Sequence, residues 1–108
     1  MIRPAAKVIH LDTGFLIRSL VLGTQESARL LGWLGDRRRV AVSTLAWGEF
    51  LCGPLGDLDE VGARRLAPAY LPVGIPEATE GARLFNLGGR RRGSLPDCII
   101  AATAILAG

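Results

Sequence analysis

Three carboxylates lie in parts of the chain that are otherwise apolar. Asp12 ends a short apolar run, Glu49 lies among bulky apolar residues, and Asp97 precedes a long run of small and apolar residues. Carboxylates are rarely buried unless a cation or a hydrogen-bond network compensates for the water they lose. If the fold brings Asp12, Glu49 and Asp97 together, a divalent metal ion is the expected counter-charge, because hard cations prefer oxygen ligands.

Each carboxylate also has a simpler interpretation. Asp12 precedes a predicted helix, and Asp is a preferred N-cap residue. Asp97 follows Ser94 by three residues, which is the spacing of a capping box, and that role is compatible with metal binding. Glu49 could lie on a solvated helix face, although neither residue four positions away from it is basic. The pattern of three acids is therefore a stronger signal than any one of them.

The order of apolar and amphipathic segments predicts the fold class. We predict strands at residues 7–11, 40–42 and 70–73. We predict helices at residues 13–22, from 24 up to the basic residues 37–39, from 43–44 to about 53, at 57–67, at 76–87, and from 94–97 almost to the end. This alternation is typical of a single α/β domain with a parallel sheet, here spanning residues 1–108. Ligands of such sheets bind beyond the carboxyl ends of the strands, where Asp12, Glu49 and Asp97 can share one mouth.

The composition is that of one folded, water-soluble domain. Hydrophobic residues make up 49% of the 108 residues and charged residues 21%, so we expect a packed core rather than disorder. The net charge of +3 suits a polyanionic partner without requiring one. Cys52 and Cys98 lie in apolar runs without a metal-binding spacing, which predicts buried, reduced thiols in a cytoplasmic protein and argues against a zinc site. No apolar stretch reaches the roughly 20 residues that a membrane span needs.

The chain resembles the PIN-domain ribonucleases of bacterial toxin–antitoxin pairs, the VapC-like type. Three segments carry the resemblance: VIHLDT at residues 8–13, STLAWGEF at 43–50, and LPDCIIAATA at 95–104. In that family the first acid closes strand one and is followed by a small hydroxylated residue. The second acid lies in a helix after a strand end that contains Ser, and the third opens an Ala-rich helix. The three segments occur here in that order and extend through the whole chain.

The resemblance implies a three-layer α/β/α fold and a metal-dependent endoribonuclease that acts as a toxin. It implies that Asp12, Glu49 and Asp97 are the catalytic residues and bind Mg²⁺ or Mn²⁺. Thr13 would then support a ligand carboxylate or the water shell of the ion, or it would cap the first helix. The implied partners are an RNA substrate, a cognate antitoxin protein and a second copy of the chain.

Two basic runs could bind RNA phosphates, since guanidinium groups suit bidentate phosphate contacts. They are Arg37, Arg38 and Arg39, and Arg90, Arg91 and Arg92. A solvated charge run is the alternative interpretation of both. The aromatic residues fall mostly in core-like positions, so no base-stacking surface is predicted. His10, inside the first predicted strand, is interpreted as a core or satisfied polar residue and not as a catalytic base.

The sequence departs from the family at its end. PIN toxins normally continue with another strand and a fourth acidic residue or its polar substitute, whereas this sequence stops at Gly108. We therefore expect an exposed sheet edge beside strand one and weakened metal affinity in the chain as written. An inactive PIN remnant that keeps the antitoxin- and dimer-binding surfaces is the alternative function. A phosphotransferase of the haloacid-dehalogenase type is set aside, because Gly14 stands where that family needs a second Asp.

Overall fold

Helices and strands alternate in the computed structural model, which describes residues 7–66, 69–88 and 93–108. In chain order the elements are β1 (Ile9–Leu11), α1 (Thr13–Ser19), α2 (Gln25–Gly35), β2 (Val40–Ser43), α3 (Thr44–Cys52), α4 (Asp59–Leu66), β3 (Ala69–Leu71), α5 (Ile75–Leu87) and α6 (Leu95–Ala107). The predicted α/β fold class is confirmed. None of the helices in the described ranges is long and apolar enough to cross a membrane.

The strands form one parallel sheet in the order β1-β2-β3. Leu11 pairs with Val42, and Ser43 pairs with Leu71. β2 is buried along its full length, as expected for a central strand of a parallel sheet with both faces covered. Because the strands run in the same direction, their carboxyl ends lie along one edge of the sheet, which we call the carboxyl edge.

The core fixes the first three helices against this sheet. Leu16 of α1, Leu30 of α2 and Phe50 of α3 are each at most 1% exposed, and all three belong to one buried cluster that includes Val40 and Val42 of β2. Burying a side chain of this size stabilises the folded state by about 1.5–3 kcal/mol. The helices that carry Thr13 and Glu49 are therefore held firmly in position.

Helices α5 and α6 approach each other closely at Gly81. A Cβ added to Gly81 would lie 2.5 Å from Ile99 Cγ1 and 2.8 Å from Ile99 Cα, so only glycine fits at this position. Helix α6 also contacts α3 and β2, and its Ile100 joins the buried core. These contacts fix the start of α6, where Asp97 lies.

Polar side chains begin four of the helices. Asp12, Thr24, Ser43 and Ser94 each accept a hydrogen bond from a backbone N–H three residues further along. Such N-caps typically stabilise a helix by about 1 kcal/mol. Ser43 is also the last residue of β2, so the strand passes directly into α3 without a loop.

The predicted helix at residues 13–22 is too long, because α1 ends at Ser19. The hydroxyl of Thr24 donates a shared hydrogen bond to the carbonyl oxygens of Arg18 and Val21, each 2.8 Å away, just after the end of α1. Gly23 then reverses the chain with a φ of 89°. The other predicted bounds differ from the structure by a residue or two; for example, β1 begins at Ile9 and β3 ends at Leu71.

Candidate active site at the carboxyl edge of the sheet

Asp12 lies between β1 and α1, at the carboxyl edge. Its Oδ1 accepts a 2.7 Å hydrogen bond from the backbone N–H of Phe15, so Asp12 does cap α1. The side chain is exposed, and its Oδ2 accepts no hydrogen bond from the residues that the structure describes. One carboxylate oxygen therefore holds the residue in place, while the other is available to a ligand.

Glu49 is connected to this region through Thr13. The Thr13 hydroxyl donates a 2.7 Å hydrogen bond to Glu49 Oε1, in a partly buried contact between α1 and α3. The alternative in which Thr13 caps the first helix is wrong, because Asp12 is the cap and Thr13 is the first helical residue. Thr13 instead contacts a predicted ligand carboxylate, and within the described ranges Glu49 Oε2 accepts no hydrogen bond.

Asp97 forms the capping box that its spacing from Ser94 predicts. Its Oδ2 accepts hydrogen bonds from the backbone N–H and the hydroxyl of Ser94, at 3.1 Å and 3.0 Å. The backbone N–H of Asp97 donates in return to Ser94 Oγ at 3.3 Å. As with the other two acids, one oxygen is engaged, and the second has no partner in the described part of the chain.

A cavity of about 310 Å³ between β1 and α6 brings two of the three acids together. Asp12 and Asp97 both line it. The other lining residues are His10, Leu11, Ile100, Ala101 and Ala104. Among the described residues that line the cavity there is no Lys or Arg, and the imidazole of His10 is the one basic side chain beside the two carboxylates. A cation is the ligand that this charge distribution favours.

Glu49 does not line this cavity, and the acids do not form a closed metal cage. In the described ranges, no group of three or more His, Cys, Asp or Glu side chains lies close enough to hold a metal ion. The donor chemistry nevertheless fits Mg²⁺ or Mn²⁺, because each acid keeps one oxygen that accepts no hydrogen bond from the described residues. Mg²⁺ is commonly bound through one or two carboxylates and several waters. Convergence of Asp12, Glu49 and Asp97 on one ion stays a prediction.

His10 lines the cavity, and the interpretation of it as a core or satisfied polar residue is wrong. It is half-buried, and its Nε2 is buried without a hydrogen-bond partner among the described residues. Burial lowers the pKa of the imidazole, which favours the neutral form. The alternation of side chains along a strand could have suggested this position, because His10 lies between Ile9 and Leu11, which both belong to the core or pack against it.

The first basic run lies at the other end of the sheet. Arg37, Arg38 and Arg39 precede Val40, the first residue of β2. The acids lie instead toward the carboxyl edge, where β2 ends. The Nη2 of Arg38 donates a 3.1 Å hydrogen bond to the carbonyl of Lys7, so this side chain joins the starts of two strands. RNA binding by this run stays a prediction. Arg90, Arg91 and Arg92 lie outside the described residues.

An apolar groove opens beside α1 and α3. Its cavity measures about 230 Å³ and is lined mainly by apolar residues, namely Ile17, Leu20, Val21, Phe50, Gly53, Pro54 and Leu55, with Asp59 at its polar side. Ile17 is 45% exposed and Val21 is 55% exposed.

The chain belongs to the PIN domain family, whose sequence pattern matches residues 9–108. PIN domains are generally metal-dependent nucleases, and the cavity that Asp12 and Asp97 line is in keeping with that class of protein. No curated protein matches the chain. The family therefore suggests a nuclease.

Proposed function

We propose that this PIN domain is an endoribonuclease that cleaves RNA phosphodiester bonds with a carboxylate-bound Mg²⁺ or Mn²⁺, and that it is the toxin of a toxin–antitoxin pair. The observation that carries the enzymatic part is the cavity between β1 and α6. Two carboxylates line it, each with one oxygen that accepts no hydrogen bond from the described residues, and no Lys or Arg lies among the described residues that line it.

Asp12, Glu49 and Asp97 would hold the ion. When bound, the ion supplies Lewis-acid polarisation of the scissile phosphate and a coordinated water of lowered pKa. The ion would also offset the repulsion among the acids, which is about 4 kcal/mol for two unit charges 4 Å apart at an effective dielectric constant of 20. The carboxylates thus act as ligands and as the groups that position the attacking water.

The protein's own contribution is orientation of these ligands. The N–H of Phe15 holds Asp12, the hydroxyl of Thr13 holds Glu49, and both polar groups of Ser94 hold Asp97. Hydrogen bonds of this kind to metal ligands typically change metal affinity or activity by about 10- to 100-fold. These donors belong to α1 and to the start of α6, and Glu49 belongs to α3, so the site depends on how three helices pack together.

RNA would reach this site as a single strand. The basic residues closest in sequence to Asp97 are Arg90, Arg91 and Arg92, which makes them the better candidates for phosphate contacts near the reaction. Arg37, Arg38 and Arg39 lie at the opposite end of the sheet and would contact only more distant parts of an RNA. These assignments extend the nuclease proposal and need separate tests.

The apolar groove beside α1 and α3 supports the proposed protein partners. An antitoxin segment or a second copy of the chain could bury its exposed apolar side chains, which otherwise contact water. The groove lies toward the C-terminal end of α1, whereas Asp12 caps the N-terminus of that helix, so a partner could bind the groove without contacting the cavity residues. The prediction that both thiols are buried is wrong, because Cys52 is exposed and Cys98 is only partly buried. As free thiols, they are in keeping with the cytoplasmic location that we propose.

A PIN remnant that binds partners without cleaving RNA is the second candidate. The observation that favours it is the open arrangement of the acids, because no three-ligand cluster is closed within the described ranges. This candidate predicts binding at the apolar groove without any effect of metal ions on RNA. The two candidates therefore differ in whether the protein cleaves RNA in the presence of a metal ion.

RNA cleavage decides between them. The purified protein is incubated with single-stranded RNA and Mn²⁺, with and without a chelator, next to the variants Asp12→Asn and Asp57→Asn. Asp57 is exposed and lies in a turn away from the cavity residues, so its variant is the matched control. The nuclease predicts chelator-sensitive cleavage that Asp12→Asn abolishes and Asp57→Asn keeps. Cleavage that is absent, or equal in all three proteins, would reject it.

The single histidine gives a second readout that does not depend on activity. His10 lines the cavity with Asp12 and Asp97, and it is the only His in the chain. Paramagnetic Mn²⁺ bound by these acids should broaden the imidazole proton signals in an NMR spectrum at low metal-to-protein ratios. Asp12→Asn should restore the sharp signals, whereas unchanged signals in the unsubstituted protein would count against a metal site here.

A further inference from the structure

Arg18 occupies the space that a side chain at position 14 would fill. A Cβ added to Gly14 would lie 3.1 Å from Arg18 Nη1 and 3.3 Å from Nη2. Arg18 follows Gly14 by four residues, and helical side chains lean toward the helix N-terminus, so the guanidinium reaches back over the first turn of α1. Gly14, two residues after Asp12, thus provides room for the guanidinium of Arg18.

Glu26 of α2 fixes one side of this guanidinium. Arg18 Nε donates a 3.2 Å hydrogen bond to Glu26 Oε2. The Arg18 side chain is 59% exposed and that of Glu26 is 22% exposed. Among the described residues, no acceptor contacts the two Nη groups. The guanidinium is therefore anchored through Nε and presents its remaining donors to solvent.

We propose that Arg18 binds a phosphate of the RNA strand next to the scissile one, an inference that rests on the proposed ribonuclease activity. The Nη groups offer a planar pair of donors, the geometry that suits bidentate phosphate contacts. Asp12 begins the helical turn that Arg18 covers, so an RNA strand crossing the start of α1 passes both the acids and the guanidinium. Arg18 acts as a substrate-binding residue that sets the path of the strand.

A second ion pair in the chain provides a matched control. Arg83 pairs with Glu80 on α5, and their side chains are 58% and 23% exposed, almost the same as those of Arg18 and Glu26. Exposed ion pairs contribute little to folding stability. Replacing either arginine by Met removes one charge and one exposed ion pair, but only Arg18 lies over the turn that Asp12 begins.

The test compares Arg18→Met, Arg18→Lys and Gly14→Ala with Arg83→Met. Steady-state cleavage of a labelled single-stranded RNA with Mn²⁺ gives KM and kcat, and fluorescence anisotropy of the same RNA with a chelator gives Kd across a salt series. Arg18→Met should raise KM and Kd about fivefold, the effect of one charge-assisted contact at an exposed site. It should also lower the salt slope of log Kd by about 0.7, the value for one phosphate contact of a single strand.

The other variants separate charge from position. Arg18→Lys keeps the charge without the planar donors and should recover only part of the affinity. Gly14→Ala keeps Arg18 but displaces its guanidinium, so it should weaken binding in the natural background and have no further effect in Arg18→Met. Circular dichroism melts confirm that each variant folds.

Two outcomes would overturn the inference. The first is an Arg18→Met variant whose KM, Kd and salt slope equal those of Arg83→Met. The second is a Gly14→Ala variant that weakens binding equally with and without Arg18. Failure of the proposed function looks different: the unsubstituted protein then shows no chelator-sensitive cleavage, and the anisotropy measurements still decide whether Arg18 contacts RNA.

Discussion

The hydroxyl of Thr13 and the carboxylate of Glu49 meet at 2.7 Å, although 36 residues separate them. This hydrogen bond joins the first residue of α1 to α3, the helix that leaves the central strand. It brings Glu49 to the residue that follows Asp12. A contact between α1 and α3 thus fixes the position of Glu49 relative to Asp12.

Thr13→Val should remove the hydrogen bond that orients Glu49. Valine keeps the shape of the side chain but cannot donate, so Glu49 loses its orienting partner while the core is unchanged. We expect a lower kcat with Mn²⁺, a raised apparent metal Kd, and a loss of about 1 kcal/mol in the free energy of unfolding. Thr13→Ser, which keeps the donor, should restore metal affinity. Thr79→Val on the exposed surface of α5 is the control and should change none of these.

Ser94→Ala should weaken both the start of α6 and the metal site. It removes the hydroxyl that accepts from the Asp97 N–H and donates to its carboxylate. Loss of such a cap costs about 1 kcal/mol. Thr24→Ala removes the comparable cap of α2, which does not contact Asp97, and serves as the matched control. Thermal shift against Mn²⁺ concentration should show weaker metal binding for Ser94→Ala only. Equal metal dependence in both variants would mean that the capping box serves α6 alone.

Gly81→Ala should destabilise the protein even though alanine is the better helix former. The added Cβ would collide with Ile99, and overpacking of a well-packed contact costs about 1–3 kcal/mol. Gly32 of α2 offers the opposite case, because nothing lies within 4 Å of a Cβ there. Gly32→Ala should therefore stabilise the fold by about 0.5–1 kcal/mol. Urea unfolding of the two variants measures both effects, and a stabilising Gly81→Ala would show that α5 and α6 are further apart.

His10 should make the metal-free protein less stable as the pH falls. Burial lowers its pKa in the folded state below 6.5, the ordinary value that we take for the unfolded chain. The unfolded chain therefore takes up a proton first, and stability that is fully present above pH 6.5 is lost as the pH falls toward the folded pKa. Carboxylates titrate mainly near pH 4, below this window.

His10→Leu checks this expectation. The variant removes the titrating group and the buried Nε2 that has no partner within the described residues. Its free energy of unfolding should be at least that of the unsubstituted protein at pH 7.5, and it should change less between pH 7.5 and 5.5. Urea titrations at the two pH values measure the difference. If both proteins lose the same stability, His10 does not titrate differently in the folded state.

The sequence predicted the parts of the fold that depend on short-range patterns. The apolar β-branched run before Asp12 and the fully apolar start of β2 are typical of buried parallel strands, and both formed where expected. The Ser94–Asp97 capping box was predicted from its spacing and is present. These features depend on residues that are close in sequence, so one sequence is enough to indicate them.

Contacts between distant segments could not be predicted in the same way. The hydrogen bond from Thr13 to Glu49 and the approach of Gly81 to Ile99 depend on how helices cross, which no local pattern specifies. The end of α1 was misplaced for a related reason, because the hydroxyl of Thr24 competes for backbone groups that a longer helix would have used. Convergence of the three acids on one ion depends on such long-range geometry as well.

β2 passes directly into α3 at Ser43, so no loop at this junction can absorb an inserted or deleted residue. Each residue turns an α-helix by about 100°, so inserting or deleting one residue between Ser43 and Glu49 would swing the carboxylate to another side of the helix. Natural length variation in relatives should therefore concentrate in the connections around residues 20–24 and 53–58, where the chain can absorb it. The position of Glu49 relative to the central strand is therefore fixed by α3, and the geometry of the proposed metal site depends on it.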